Sequence, residues 1–221
     1  MIVVHHLQDS RSQRILWLLE ELGTPYQVKT YQRTSVGLAP KALLEVTPLG
    51  KSPVITDGDV TLAESTAIVD YLISKYAADG KLQAPSSGPE YLNNLYFMHF
   101  AEGSLMPLIV ERLHLKTFPR FMPQDVRPTA TKLFGVVLKQ RVEPEIRKYA
   151  ALVEAHLETV DWFAGGPGPT AADFAMSFPL ECLALLKMAG PKSVGWVAKI
   201  QARPAYLRAL DKGEGRYAYK L

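Results

Sequence analysis

Residues 2–31, IVVHHLQDSRSQRILWLLEELGTPYQVKTY, change their apolar periodicity twice, and that change decides the fold. Ile2 to Leu7 is a short, mostly apolar run of strand length. Ser10 then stands as a cap for a helix running to about Leu22. In that helix Ile15, Leu16, Leu18, Leu19 and Leu22 fall at helical spacing, and Gly23 supplies the stop. Tyr26 to Tyr31 returns to strand character. Two strands that flank a helix should lie parallel with a right-handed crossover.

Working outward from this unit, Pro40 to Val46 forms a short helix ended by Thr47-Pro48-Leu49-Gly50. Val54 to Thr56 and Val60 to Ala63 are short strands joined by Asp57-Gly58-Asp59, a strong hairpin signal. Ser65 caps a helix through Tyr76. The order β-α-β-α-β-β-α predicts a four-stranded mixed sheet with helices on both faces, because a hairpin pair must be antiparallel. Residues 79–90 are rich in Gly, Pro and Ser and read as a linker. Beyond them the strand signals stop. The spacing predicts helices over 90–116, 127–141, 143–163, 171–188, 191–202 and 204–212. Pro144 is placed in a first turn, where proline is tolerated, and Pro179 inside a helix that it should kink. The expected division is therefore 1–79 for an α/β domain, 80–89 for the linker and 90–221 for an all-helical domain.

Composition narrows the function classes. A hydrophobic content of 48% supports an ordinary core, and a net charge of +3 is too small to make nucleic acid or membrane the main partner. The single cysteine, Cys182, excludes an internal disulfide and any Cys-x-x-Cys motif; it reads as a packed core thiol. No apolar run reaches the roughly 18–20 residues that span a bilayer. The N-terminus lacks the basic start and apolar run of a signal peptide. The expectation is a cytoplasmic protein. His5 and His6 are adjacent on a strand, so they point to opposite faces and cannot chelate one metal. No other histidine has metal-ligand spacing, and no metal is expected.

Three places carry candidate chemistry, each with a plain structural alternative. Ser10, in Asp9-Ser10-Arg11-Ser12-Gln13-Arg14, is either a helix cap or a hydroxyl presented to an anion at a helix N-terminus. Pro53, in Leu49-Gly50-Lys51-Ser52-Pro53-Val54, is either an ordinary strand opener or a cis proline. In the cis case the Ser52 backbone groups turn outward, able to pair with an extended peptide. Ser65, after Glu64, is either a second cap or a grip for a carboxylate, with Glu64 beside it for an ammonium group.

Taken together, these segments resemble a cytosolic glutathione S-transferase of the serine type, in the fungal and bacterial branch. The carriers are Ser10-Arg11-Ser12-Gln13-Arg14, Pro48-Leu49-Gly50-Lys51-Ser52-Pro53 and Ala63-Glu64-Ser65-Thr66-Ala67-Ile68. To them is added the capping box of Thr170 and Asp173 in Gly168-Pro169-Thr170-Ala171-Ala172-Asp173. The resemblance implies a thioredoxin-like domain followed by a helical bundle, a homodimer, and glutathione as co-substrate. It implies a glutathione transferase of detoxification type, with a small hydrophobic electrophile as second substrate. It places the glutathione cysteine against Ser52 and Pro53, the γ-glutamyl end at Glu64 and Ser65, and a carboxylate within reach of Lys51. With no tyrosine early in the first strand, thiol activation falls to Ser10. Arg11 and Ser12 line the same site, and Asp9 and Arg11, one residue to either side of Ser10, are the neighbouring candidates. Ser52 stands where the family commonly has valine or isoleucine. A glutathione peroxidase, a disulfide reductase, or a non-catalytic glutathione-binding or regulatory protein would use the same fold. Tyr96, Phe97, Phe100, Met106, Leu113 and Phe118 are either walls of the second pocket or core. Glu102-Gly103-Ser104 interrupts a helix and marks either a bend or a dimer contact.

Overall fold

The computed structural model describes residues 1–35, 37–77 and 80–215. The expected boundary residue 79 and residues 216–221 of the expected second domain lie outside the described residues. Strands β1 (Ile2–Leu7), β2 (Tyr26–Tyr31), β3 (Val54–Asp57) and β4 (Val60–Ala63) form one sheet in the order β2-β1-β3-β4. β1 pairs parallel with β2, and β3 pairs antiparallel with both β1 and β4. Helices α1 (Gln13–Leu22) and α2 (Ser65–Tyr76) complete this part, with a 3₁₀ turn at Lys41–Glu45. It is the mixed sheet expected from the order of elements.

The strand alternation of β1 sorts its residues between two environments. Ile2 and Val4 belong to the main core with α1 and α2. Leu7 faces the other way into a small cluster with Tyr31 and Leu43, covered by the 3₁₀ turn. His5 joins that second face, its Nδ1 lying 3.0 Å from the Tyr31 hydroxyl. His6, one step along, points with Ile2 and Val4 toward the helices.

The rest is helical: α3 (Gly88–Phe100), α4 (Met106–Thr117), α5 (Arg127–Val137), α6 (Glu143–Leu157), α7 (Ala171–Leu185), α8 (Pro191–Gln201) and α9 (Pro204–Lys212). Among the described residues no helix is long and apolar enough to cross a membrane. Two expected features resolve differently from the local rule. The predicted helices 127–141 and 143–163 are one continuous rod from 127 to 157, so Pro144 lies inside it rather than in a first turn. A π turn at Leu138–Val142, with the Glu143 N–H bonded to the Leu138 carbonyl, immediately precedes the proline. The same arrangement recurs at Ala101–Leu105, where the Met106 N–H reaches the Ala101 carbonyl just before Pro107. In a regular helix each proline ring would strike the carbonyl four residues back. The widened turn moves that carbonyl aside. The rod ends at Leu157, and Trp162 and Phe163 enter a buried loop whose Phe163 N–H is held by Asp173 Oδ1 at 2.9 Å.

α7 is buried from Ala171 to Leu183 on all sides and forms the central helix. Its Phe174 ring lies tilted against Trp17 of α1 at 4.4 Å, and Trp17 also meets Tyr206 of α9 at 5.8 Å, so one continuous core joins sheet and bundle. The last turn of α1 clasps α9 through charge. Glu21 accepts from Arg203 at 2.5 and 2.9 Å, and Glu20 accepts from Arg208 at 2.7 Å and Lys212 at 2.6 Å. Cys182 is buried, as expected of a core thiol.

Glu181 of α7 is one of the buried carboxyls of this core. Its Oε1 accepts from Tyr206 of α9 and, at 3.1 Å, from Gln201 of α8. Burial pushes its carboxyl up to about 7 against both bonds and the Arg14 charge. A carboxyl raised on folding stabilises fully below its unfolded value, and that contribution is lost as pH rises through the folded value. Glu181→Gln keeps an acceptor for both donors. It is expected to remove this share of the decline between about pH 4 and 7 and to be more stable than wild type at pH 8 by roughly 2–3 kcal/mol. Urea unfolding of both proteins at pH 5 and pH 8 checks it; equal curves at pH 8 would reject the assignment.

Candidate active site

The sheet register brings the three candidate segments to one edge. His5 of β1 sits opposite Val54 of β3, and Val54 opposite Ala63 of β4, in a single row. Just beyond that row lie Ser10 after β1, Ser52-Pro53 before β3, and Glu64-Ser65 after β4. Residues far apart in sequence meet because antiparallel pairing sets an outgoing strand end beside an incoming start.

Ser10 precedes the helix rather than opening it. α1 begins at Gln13 with Ser12 in the cap position and no side-chain cap bond, so the simple capping role expected of Ser10 does not hold. Ser10 Oγ accepts the Ser12 N–H at 3.2 Å and lies 2.8 Å from Ser12 Oγ. Ser12 Oγ is in turn 2.8 Å from His6 Nδ1 and 3.3 Å from the Leu7 carbonyl. Ser12 has no exposed surface and Ser10 is 6% exposed, so of the pair only Ser10 reaches the surface. Arg33 braces the loop before them by donating to the carbonyls of Gln8 at 3.0 Å and Asp9 at 2.8 Å.

Ser52 and Pro53 are joined by a cis peptide bond. The Ser52 hydroxyl donates to the His5 carbonyl at 2.9 Å and accepts the Leu7 N–H at 3.3 Å. These bonds continue the β1–β3 ladder where its backbone pairing stops at Val54, which gives a hydroxyl residue a specific use at this position. Gly50, at φ +56°, makes the preceding turn, and a side chain there would press on Leu44 Cδ2 at 2.8 Å. Lys51 is exposed beside it.

Glu64 occupies the cap position of α2 at φ +70° and ψ +114°, outside the regions that suit a side chain. Such strain costs on the order of 1–3 kcal/mol and concentrates at binding and catalytic sites. Glu64→Gly is expected to raise stability by about 1 kcal/mol by relieving this backbone strain. Thermal unfolding measures it, and a variant no more stable than wild type would mean that the Glu64 conformation carries no strain.

The helical part contributes a residue that the sequence reading did not assign to the site. Glu102, on the π turn after α3, contacts Ser65 Oγ at 3.3 Å, Arg14 at 2.8 Å and Arg11 Nε at 3.0 Å. Arg14 is fully buried and also donates toward Ser65 Oγ at 3.5 Å. Both guanidiniums lie over the Phe178 ring, at 5.3 Å for Arg14 and 5.8 Å for Arg11. The positive charge expected from Arg11 is therefore shared with a carboxylate, and the expected ligand grip at Ser65 is already tied to the bundle. The interruption at Glu102-Gly103-Ser104 is thus a π turn that aims Glu102 at the sheet edge. Of the aromatic and apolar candidates, Phe97 and Met106 are core, Phe97 packing on Phe163 at 4.8 Å, while Tyr96 and Phe118 are exposed. Two clefts of about 730 Å³ lie elsewhere, one between α2 and α3 and one along α3.

Comparison with known proteins decides the family. The family described as "Glutathione S-transferase, N-terminal domain" matches residues 1–74. Glutathione S-transferase 3 of Schizosaccharomyces pombe is 36% identical over 217 residues, which cover 97% of this chain and 88% of the relative. The chain belongs to the glutathione S-transferase family. Glutathione S-transferase 1 of Saccharomyces cerevisiae is 28% identical, covering 96% of this chain and 95% of its own. A solved glutathione S-transferase of Actinobacillus pleuropneumoniae superposes with a TM-score of 0.79 at 31% identity, over 99% of this chain and 95% of that one. In this transferase fold the sheet edge with Ser10, Ser52 and Ser65 is the thioredoxin-like part, and the all-helical region supplies Glu102.

Proposed function

We propose that this chain is a glutathione transferase that holds glutathione along the sheet edge and activates its thiol at Ser10 for attack on a small hydrophobic electrophile. The observation that carries this reading is the row His5–Val54–Ala63, which gathers Ser10, cis Pro53 and Ser65 at one edge. The cysteine of glutathione pairs with the Ser52 backbone. The γ-glutamyl end meets Glu64 and Ser65, and Lys51 reaches a carboxylate. Arg11 adds positive potential, and Ser12 acts from behind Ser10.

The energetics are adequate. A free thiol has a pKa near 8.5, and lowering it by about two units needs roughly 2.7 kcal/mol. A hydrogen bond to a charged group supplies about 1.5–3 kcal/mol. The Ser12 N–H bond to Ser10 Oγ occupies a lone pair and not the hydroxyl proton, so Ser10 can donate to the thiolate once Ser12 Oγ donates to Ser10. Family membership further supports a homodimer, cytoplasmic residence and the division at residues 80–89, which belong to this reading. Replacement of Ser10, taken up in the Discussion, tests it.

A further inference from the structure

We propose that His6, acting through Ser12, takes up the proton that the glutathione thiol gives up at Ser10. The inference rests on the reading of Ser10 above and adds the destination of the proton.

Three buried side chains form one line. Ser10 Oγ and Ser12 Oγ are 2.8 Å apart, as are Ser12 Oγ and His6 Nδ1. His6 is 2% exposed and Ser12 is fully buried, so the line leads inward from the surface at Ser10. The Gly213 backbone favours the charged form of the His6 ring, as a carbonyl facing its far side does. With the ring proton on that side, at Nε2, the Nδ1 lone pair faces Ser12. Burial holds His6 below its ordinary value, so the resting ring is neutral; the same burial disfavours the imidazolium, and the thiolate formed along with it supplies the compensating charge.

The transfer balances without any further reactant. The S–H proton passes to Ser10 Oγ as the Ser10 proton passes to Ser12 Oγ and the Ser12 proton to His6 Nδ1. Three bonds to hydrogen break and three form. The products are a thiolate accepting from Ser10, and an imidazolium donating through Nδ1 to Ser12 and through Nε2 to Gly213. Every hydrogen bond along the line survives with its direction reversed. The charged groups that act on the ring are Asp9, from the loop after β1, and Glu214, from the segment after α9. Both are carboxylates and favour the imidazolium. Gln32, beyond β2, holds Glu214 at 2.9 Å. The uncharged neighbours of His6 are Ser12, hydrogen-bonded to Nδ1, and Thr30, its register partner on β2.

The experiment counts protons against thiolates in the wild-type protein. Glutathione is titrated calorimetrically in two buffers of different ionisation enthalpy, with S-methylglutathione as the blank, and the ultraviolet thiolate band counts thiolates formed. The relay predicts a thiolate band with almost no proton released to buffer, and His6 ¹⁵N resonances that become those of an imidazolium with glutathione but not with S-methylglutathione. It also predicts that Ser12→Ala cuts the thiolate fraction about threefold at pH 7, and about tenfold well below the bound thiol's pKa, for a rise of about one pKa unit. A thiolate band with one proton released per thiolate and a neutral His6 overturns the relay and leaves Ser10 activation standing. Bound glutathione with no thiolate band overturns both.

Discussion

Asp173→Ala is expected to destabilise the protein by about 3–5 kcal/mol, the largest single-residue effect on its stability considered. The carboxylate accepts the Phe163 N–H at 2.9 Å, the Thr170 N–H at 2.8 Å and the Thr170 hydroxyl at 3.2 Å, with no exposed surface. Alanine leaves two buried backbone donors unpaired, at about 1–3 kcal/mol each, and removes half of a capping box worth about 1 kcal/mol. The helix that loses its cap is α7, on which α1, α3 and α8 all pack. Burial already pushes the Asp173 carboxyl up to about 6, so part of its bonding strength at neutral pH is offset by the cost of the buried charge. Asp173→Asn retains one acceptor and turns an amide N–H toward a second donor, so it should fall between the two. Urea unfolding followed by circular dichroism ranks the three proteins. A midpoint for Asp173→Ala equal to wild type would mean that the loop at Phe163 is not held as described.

Ser10→Ala carries the largest expected effect on activity. Loss of one hydrogen bond to the thiolate should raise the bound thiol's pKa by about one to two units and, through the thiolate fraction, lower kcat/KM at pH 7 by roughly 3- to 25-fold. Glutathione affinity should change less than about threefold, because in the proposed reading the Ser52 backbone and the Glu64–Ser65 end supply the binding. The rate deficit should shrink as pH rises toward the pKa of the free thiol, since the variant's thiol then ionises without help. A pH profile of kcat/KM for both proteins separates this from misfolding, which would lower the rate by the same factor at every pH.

Much of the fold was legible because its signals are local. The alternation in Ile2–Leu7, the Asp57-Gly58-Asp59 turn and the helical spacing after Ser12 each depend on a few neighbouring residues. Where they give the strand order, they also give the convergence of Ser10, Ser52 and Ser65, since pairing alone sets those ends side by side. What failed was also local in origin. The rule that places proline in a first turn split one rod at Pro144, because a π turn has no composition of its own to announce it. The helix expected to run to 163 stops at Leu157, since Trp162 and Phe163 have core residues' composition but loop backbone.

The site was less legible where it depends on packing between distant segments. Glu102 lies 37 residues from Ser65, and no periodicity links them. The Glu-Gly-Ser break in a helix was its only mark, pointing to a bend without saying what the bend aims. His6 was set aside as a metal ligand because it alternates with His5. That same alternation is the signal that sends His6 toward α1 and Ser12, while His5 goes to Tyr31. Arg14 sits in the motif but has its partners in α2 and the bundle, so its burial emerges only when both are in place.

The most direct test of the central claim is an ultraviolet difference titration of the wild-type protein and Ser10→Ala with glutathione, about two pH units below the free-thiol pKa of roughly 8.5. Saturable thiolate absorbance in wild type, lost in a variant that still binds glutathione by calorimetry, is the predicted result. Equal thiolate absorbance in both proteins, or none in wild type with glutathione bound, would contradict the assignment of thiol activation to Ser10.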